Sequence, residues 1–572
     1  MSNYLDNYKK WLNCEKLSKE EKAELASLDD NEIRERFTAN LAFGTAGLRG
    51  TMKTGMNAMN VYTVAQATQG LANLIIRYGR EKDGVAVGYD GRNNSPLFAK
   101  TAASVLAANG IKVYIFDDIR PTPELSFSVR ECKCVAGINI TASHNPKEYN
   151  GYKAYWDDGA QLSLEDADAV SDEIGKIDVF TGVKTIDFEA AVKDGKITVI
   201  GSEIDEKYLA KVQEQAVNPE IVKKVADDLK IVYTPLHGTG YKLIPEILRR
   251  TGVKNLYIVK EQSEPDGNFP TVVKPNPEYF DVFKLGIKLA NDIGSDLIFA
   301  SDPDADRLGA VARAKDGSFV GITGNQMGAL LLDYILTAYE ETGTMPSEPY
   351  AIKTIVTTEL VSKICKLHSV KLYNVLTGFK FIGEVIKKHE AEGHGTYVFG
   401  FEESYGYLKG TYARDKDAVV ASMLVCEMAA YYKSKGMTLI DALEALWEKA
   451  GYSLEKTDET YIAGLDGAEK MKAIMEGFRK NPPKDFAGVE ITDIGDYLNE
   501  YFTHVADGKK TPTGLPKSNV MYFKLANGDV IVARPSGTEP KIKFYYLISS
   551  ADKANAPELL KAYQASVAKY TN

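Results

Sequence analysis

This sequence predicts an α/β protein of several domains that ends in an α+β unit, on three observations. The chain has 572 residues; single hydrophobic cores stop growing at roughly 250 to 300 residues, so the length points to about four domains. Short apolar strands alternate with helix-like segments over most of the chain and end on Gly, Asp, Asn or Pro, not on hairpin turns, which implies α/β units with mixed or parallel sheets. Beyond Asn481 the pattern changes to closely spaced strands and one closing helix.

Taken in order, Ser18 and Glu21 have capping-box spacing, so the first forty residues or so read as a helical lead-in. Strands follow at Val85–Tyr89, Val113–Phe116, Val135–Ile140, Ile231–Tyr233, Leu256–Val259, Leu297–Ala300, Val370–Tyr373 and Tyr397–Phe399. Asn481–Lys484 and Gly508–Pro516 are rich in turn residues. Val520–Leu525 and Val530–Ala533 flank a hairpin, Lys541–Ile548 is a third strand, and Pro557 opens a helix with Leu559, Leu560, Tyr563 and Val567 on one face.

Composition narrows the function classes. Apolar residues make up 44% and charged residues 26%, which excludes wholesale disorder, collagen-like repeats and a membrane bundle. With 69 basic residues against 79 acidic ones, a net of −10, the chain is not built to neutralise a nucleic-acid backbone. Cys14, Cys132, Cys134, Cys365 and Cys426 form no CxxC pair and read as reduced packing residues. The N-terminal residues carry charges throughout, and apolar stretches such as Met327–Leu332 are too short to span a bilayer. A cytoplasmic protein with no membrane or nucleic-acid partner is expected; its oligomeric state is left open.

In α/β domains, ligand groups gather past the carboxyl ends of strands, and three such loops carry chemistry. Asp302, Asp304 and Asp306 repel one another unless a cation joins them, and hard oxygen donors suit Mg²⁺ or Ca²⁺. A calcium EF-hand is excluded, because positions 6 and 12 counted from Asp302 are Arg307 and Arg313 where Gly and Glu are required. A phosphatase loop with an aspartyl nucleophile and a plain solvated turn both remain compatible with the spacing. Thr141–Pro146 sets the Ser143 hydroxyl beside the His144 imidazole, a pair able to carry a phosphoryl group and handle its proton, although loop serines also serve only to bond the turn. Lys147 and Lys153 favour an anion nearby. Phe401–Gly406 offers Glu402, Glu403 and Ser404 as acceptors for sugar hydroxyls. Near the C-terminus, Arg534, Ser536, Gly537 and Thr538 are suited to surround a phosphate. His237, His389 and His394 read as structural, and Gly321, Gly324 and Gly328 as turn and packing glycines.

The motifs are specific as a series. Gly44–Gly50 (GTAGLRG), Thr141–Pro146 (TASHNP), Asp302–Arg307 (DPDADR), Thr377–Lys380 (TGFK), Phe401–Ser404 (FEES), Arg414–Asp417 (RDKD) and Arg534–Lys541 (RPSGTEPK) resemble, in this order and over nearly the whole chain, the α-D-phosphohexomutases. Within that family the likeness is greatest to the phosphoglucomutase and phosphopentomutase branch, which includes bacterial enzymes. The resemblance implies four domains around a central cleft: residues 1–203 with the phosphoserine loop, 204–322 with the metal loop, 323–450 with the sugar loop and 451–572 with the phosphate loop. It implies that Ser143 is phosphorylated, that Asp302, Asp304 and Asp306 bind one Mg²⁺ together with the group on Ser143, and that Arg307 contacts that phosphate. Lys416 and His144 match groups for proton transfer. Arg49, Lys153, Thr377, Gly378, Lys380, Glu402, Ser404, Arg534, Ser536, Gly537 and Thr538 match substrate-binding positions.

The implied activity is interconversion of glucose 1-phosphate and glucose 6-phosphate through glucose 1,6-bisphosphate, with a phosphopentose or mannose phosphate as alternative substrate. Phe401, where the family more often has glycine, raises the pentose question. Ala418 likewise replaces a common glycine and leaves Lys416 in place. A phosphosugar-binding protein without turnover is the reading of another class, and the presence of Ser143 with all three aspartates opposes it.

Overall fold

The structure, a computed structural model, describes residues 3–44, 47–462, 467–536 and 541–571. Its contacts divide the chain into two units, one formed by Met1–Ile322, Ile382–Gly393 and Tyr405–Thr438, the other by Thr323–Phe381, His394–Ser404 and Leu439–Asn572.

The first unit contains two mixed sheets. Strands β1 (Leu48–Thr51), β2 (Val85–Tyr89), β3 (Val113–Phe116), β4 (Ala136–Ile140), β5 (Tyr149–Trp156) and β6 (Ile197–Ile200) lie in the order β1-β5-β4-β2-β3-β6. The run from β4 to β6 is parallel, and β5 and β1 are added antiparallel. The second sheet joins β7 (Lys230–Thr234), β8 (Asn255–Ile258), β9 (Leu297–Ser301), β10 (Leu308–Arg313) and β11 (Phe319–Ile322) in the order β11-β10-β9-β7-β8. Every residue of β2, β4 and β9 is buried, as expected of strands covered on both faces by helices. The helical lead-in is present as Tyr4–Leu12, Lys19–Ala26 and Asp30–Phe37, with the Ser18–Glu21 capping box formed. Its Trp11 and Phe37 join Phe180 in a small aromatic core.

In the second unit, β12 (Pro349–Thr354), β13 (Lys371–Val375) and β14 (Thr396–Glu402) are parallel, in the order β13-β12-β14. The C-terminal region is larger in sheet than the sequence predicts. The expected hairpin and third strand are there, but Leu454–Tyr461, Val489–Asp496, Tyr501–His504 and Lys510–Pro512 join them in one antiparallel sheet. The turn-rich reading of 508–516 is corrected to that extent: Lys510–Pro512 is an exposed edge strand. Residues Ile542, Phe544 and Tyr546 pack against Phe478, Tyr563 and Val567 of the covering helices. From the opposite face, Tyr545 and Leu547 pack against Ile355, Val356 and Leu376. With both faces buried, this sheet and the β12–β14 layer share one unit. Among the described residues no helix is long and apolar enough to cross a membrane.

Candidate active site

The first unit brings nine of the predicted site residues together. Antiparallel pairing of β1 with β5 sets Arg49 opposite Gly151, and Arg49 Nη1 donates to Asn145 Oδ1 at 3.3 Å in the serine loop. β4 delivers Thr141–Pro146, and its neighbour β5 carries Lys153, opposite Asn139. β9 ends at Ser301 and delivers Asp302–Asp306.

Ser143 is 4% exposed and sits at φ +52°, and Ala305 in the acidic loop at φ +50°. A left-handed conformation costs a non-glycine residue about 1 to 3 kcal/mol and marks positions that surrounding contacts must hold. The Ser143 Oγ donates to Asp302 Oδ2 at 3.0 Å and lies 3.1 Å from His144 Nδ1. Asp302 Oδ1 accepts from the backbone N–H groups of Asp306 and Arg307 at 3.1 and 3.0 Å. Lys153 Nζ donates to Asp304 Oδ2 at 2.8 Å and Asp306 Oδ2 at 3.2 Å, and Lys416 Nζ lies 3.1 Å from the same Asp306 oxygen. Arg307 pairs with Glu278 and lies 3.9 Å from Asp306 Oδ1.

Asp302 and Asp304 are fully buried and Asp306 is 2% exposed. Burial raises the pKa of all three. At Asp302 the charges of Asp304 and Asp306 add to it, and the carboxyl is pushed well above the usual range. At Asp304 and Asp306 the attraction of lysine outweighs burial and holds both low, Lys153 acting at Asp304 and Lys153 with Lys416 at Asp306. Burial, with the Arg307 and Arg49 guanidinium groups, pushes His144 well below the ordinary histidine value, so its imidazole is neutral at pH 7.

One carboxylate oxygen from each aspartate lies within 4.8 Å of the others, and the buried Asp304 Oδ1 and Asp306 Oδ1 have no hydrogen-bond partner. Unpartnered buried carboxylate oxygens are costly, and a hard divalent cation would satisfy both. The three residues therefore fit a metal ion.

Several contributors carry no loop motif of their own. Thr122 Oγ1 donates to Asp304 Oδ2 at 2.8 Å and accepts from Asn139 Nδ2 at 2.7 Å. Asp415 accepts from Lys416 Nζ at 3.0 Å, from the Tyr155 hydroxyl and from Gln161, both at 2.9 Å, and so aims Lys416. A Cβ on Gly406 would lie 2.0 Å from Lys416 Cδ, so only glycine lets that lysine chain pass. Asp415 stands in the RDKD motif and Gly406 closes the Phe401–Gly406 loop, where the sequence marks the motif but not these roles; Thr122 and Asn139 gave no sequence signal. His237 is held through both ring nitrogens, by the Glu264 carbonyl and Thr271 Oγ1, in keeping with a structural histidine.

The other predicted residues belong to the second unit. Gly378 N–H donates to Glu402 Oε1 at 2.8 Å, and Thr377 Oγ1 is buried without a hydrogen-bond partner. Lys380 Nζ lies 4.8 Å from the Phe381 ring centroid, and Ser404 is half-buried in the turn after β14. Burial, with the charges of Glu403 and Glu402, raises the pKa of the Tyr545 hydroxyl, and the Arg534 guanidinium opposes that rise. The Ser536 N–H donates to the Lys541 carbonyl at 2.8 Å. Gly537 and Thr538 lie outside the described residues. Phe401 packs into the core and not toward solvent: it is 1% exposed, and a Cβ on Gly328 would lie 2.1 Å from its ring. Gly328 is thus a packing glycine.

Residues 40–179, 206–317 and 323–450 match, respectively, the α/β/α domains I, II and III of the phosphoglucomutase/phosphomannomutase family. A phosphoglucomutase of Staphylococcus saprophyticus is 38% identical over 537 residues, 94% of this chain and 95% of that protein. One from Staphylococcus aureus strain MSSA476 is 37% identical, over 90% of this chain and 91% of that protein. Among solved structures, the open form of parafusin, a phosphoglucomutase from Paramecium, shares the fold with a TM-score of 0.69 at 19% identity, over 93% of this chain and 96% of that one.

Proposed function

The chain belongs to the phosphoglucomutase/phosphomannomutase family, and we propose that it acts as a phosphoglucomutase, interconverting α-D-glucose 1-phosphate and glucose 6-phosphate through a phosphoserine at Ser143. The observation that carries this reading is the Ser143 hydroxyl bonded to Asp302 inside a buried cluster of three carboxylates and two lysines.

Phosphoserine 143 donates its phosphoryl group to oxygen 6 of glucose 1-phosphate. The bond from Ser143 Oγ to phosphorus breaks as the bond from oxygen 6 forms, and the proton of the sugar hydroxyl passes to Lys416 or His144. The product, glucose 1,6-bisphosphate, turns over; the bond from oxygen 1 to phosphorus breaks as the bond to Ser143 Oγ forms, the proton held by Lys416 or His144 passes to oxygen 1, and glucose 6-phosphate leaves. Asp302, Asp304 and Asp306, with the phosphate on Ser143, would hold Mg²⁺, and the ion would supply neutralisation of the charge on the phosphoryl oxygens. Lys153 and Arg49 add fixed positive charge beside the serine, and Arg307 contacts its phosphate. Glu402 and Ser404 accept from sugar hydroxyls, with Thr377, Gly378 and Lys380 completing that contact. Arg534, Ser536, Gly537 and Thr538 hold the phosphate that is not reacting. Phosphosugars are the partners of this reading, the cytoplasm its compartment, and 203/204, 322/323 and 450/451 its domain boundaries, which limited proteolysis would locate.

The test is conversion of glucose 1-phosphate by purified protein with Mg²⁺ and a trace of glucose 1,6-bisphosphate, followed by phosphorus NMR. Glucose 6-phosphate is the expected product, lost in Ser143→Ala. Release of inorganic phosphate, or undiminished turnover by Ser143→Ala, would overturn it.

A further inference from the structure

The backbone of the loop that carries Ser143 is gripped by a side chain from outside it. Arg92 follows β2, is 1% exposed, and spends its guanidinium on the backbone of that loop. Its Nη2 donates to the carbonyls of Ser143 and Asn145 at 2.6 and 2.5 Å, and its Nη1 to those of Pro146 and Tyr149 at 2.9 and 3.2 Å. Asp90 Oδ2 lies 3.2 Å from Arg92 Nε, and Asp90 Oδ1 accepts from the Arg92 N–H and the Ser95 hydroxyl at 2.9 and 2.8 Å. The Phe269 ring lies beneath the guanidinium, its centroid 5.0 Å away.

Burying a guanidinium is costly unless a counter-charge and hydrogen bonds offset it. Here Asp90 supplies the charge and the serine loop supplies the acceptors, so the cation's bonding is concentrated on the segment that sets the Ser143 backbone at φ +52°. A planar fork can grip four carbonyls in a fixed relative geometry, whereas an ammonium is a point charge on a flexible stem. Phosphoryl transfer depends on in-line placement of the serine oxygen, and a displacement of about 1 Å costs on the order of 100-fold in rate.

We infer that Arg92 is a positioning residue for the transfer: its fork fixes the loop from Ser143 to Tyr149 and thereby the place of the Ser143 oxygen relative to Asp302. This rests on the phosphoserine reading above. Arg92 donates to the loop backbone and acts on the reaction only through it.

The experiment compares wild type, Arg92→Lys and Arg92→Ala for kcat and KM on glucose 1-phosphate, with the folded fraction measured by circular dichroism. Arg92→Lys is expected to lose about 100-fold in kcat with KM unchanged. Guanidinium chloride at low concentration restores part of the Arg92→Ala rate, and methylammonium chloride does not. If Arg92→Ala fails to fold, Arg92→Lys and Asp90→Asn carry the test, the second keeping the fork and losing less. Wild-type kcat in Arg92→Lys, or a loss fully accounted for by its unfolded fraction, would overturn the inference. Wild-type protein that turns over no glucose 1-phosphate, or carries no phosphate on Ser143, breaks the parent reading instead, before any Arg92 variant is made.

Discussion

The residues around Ser143 and those around Glu402 are finished to different degrees by the protein itself. In the first unit, Ser143 is bonded to Asp302, Lys153 to two aspartates and Lys416 to Asp306 and Asp415, all within 3.2 Å. What that cluster leaves unpartnered is carboxylate oxygen, which calls for a cation. In the second unit, Glu402 takes a bond from the Gly378 N–H, and the Thr377 hydroxyl has no hydrogen-bond partner. Electrostatic preorganisation matters most where charge moves in the transition state. Recognition of sugar hydroxyls needs donors and acceptors kept available for the ligand. Under the proposed function, the contrast is that of a reaction centre built in advance and a recognition loop completed by substrate.

The largest effect should come from breaking the first region. Asp304→Asn keeps the shape and removes a charge, and the loss of transition-state stabilisation is predicted to lower kcat/KM about 1,000-fold. Chelation of wild type by EDTA should do the same, with Mg²⁺ restoring wild type but not the variant in steady-state assays.

The support beneath the second region is tested by Phe401→Ala. Emptying the space against Gly328 is predicted to cost about 3 to 5 kcal/mol of stability, read by denaturant unfolding; a change of less than about 1 kcal/mol would mean that the ring is not a core element. Glu402→Ala comes next. If that loop serves binding, KM should rise about 10- to 100-fold and kcat should fall less. A fall in kcat at constant KM would erase the distinction between the two regions.

The smallest effect lies in the second unit, away from either set of residues. His368 hydrogen-bonds Asp333 and Glu340 and lies 3.3 Å from Lys449. The bond to Asp333 raises its pKa above the ordinary value against opposition from burial and Lys449, and Glu340 adds to the rise. A raised folded-state pKa stabilises fully below the unfolded value near 6.5, and the benefit is lost as pH climbs through the folded value. Thermal unfolding should therefore show up to about 1 kcal/mol more stability near pH 6 than at pH 8 from this group, a difference absent in His368→Gln.

Much of this could be read in the sequence, for identifiable reasons. Loops such as DPDADR and TASHNP concentrate their chemistry in a few adjacent residues just past apolar strands, so composition alone exposes them. Arg92 and Thr122 act on residues 51 and 182 positions away in sequence, and nothing local distinguishes an arginine that grips a distant loop from one in solvent. The C-terminal strands at 454–461, 489–496 and 501–504 were missed because charged and polar residues on their exposed positions interrupt the apolar pattern. Phe401 pointed to substrate choice only while its direction was unknown. Successive strand residues face opposite ways, so the same pleat that brings Glu402 to Gly378 turns Phe401 onto Gly328.

The central claim is that Ser143 carries the phosphoryl group, and peptide mass spectrometry tests it most directly. Protein incubated with glucose 1,6-bisphosphate and Mg²⁺ should hold one phosphate, on the peptide containing Ser143, stable to hydroxylamine and discharged by glucose 1-phosphate. A hydroxylamine-labile phosphate on the peptide containing Asp302, or no phosphate on Ser143, would contradict the account.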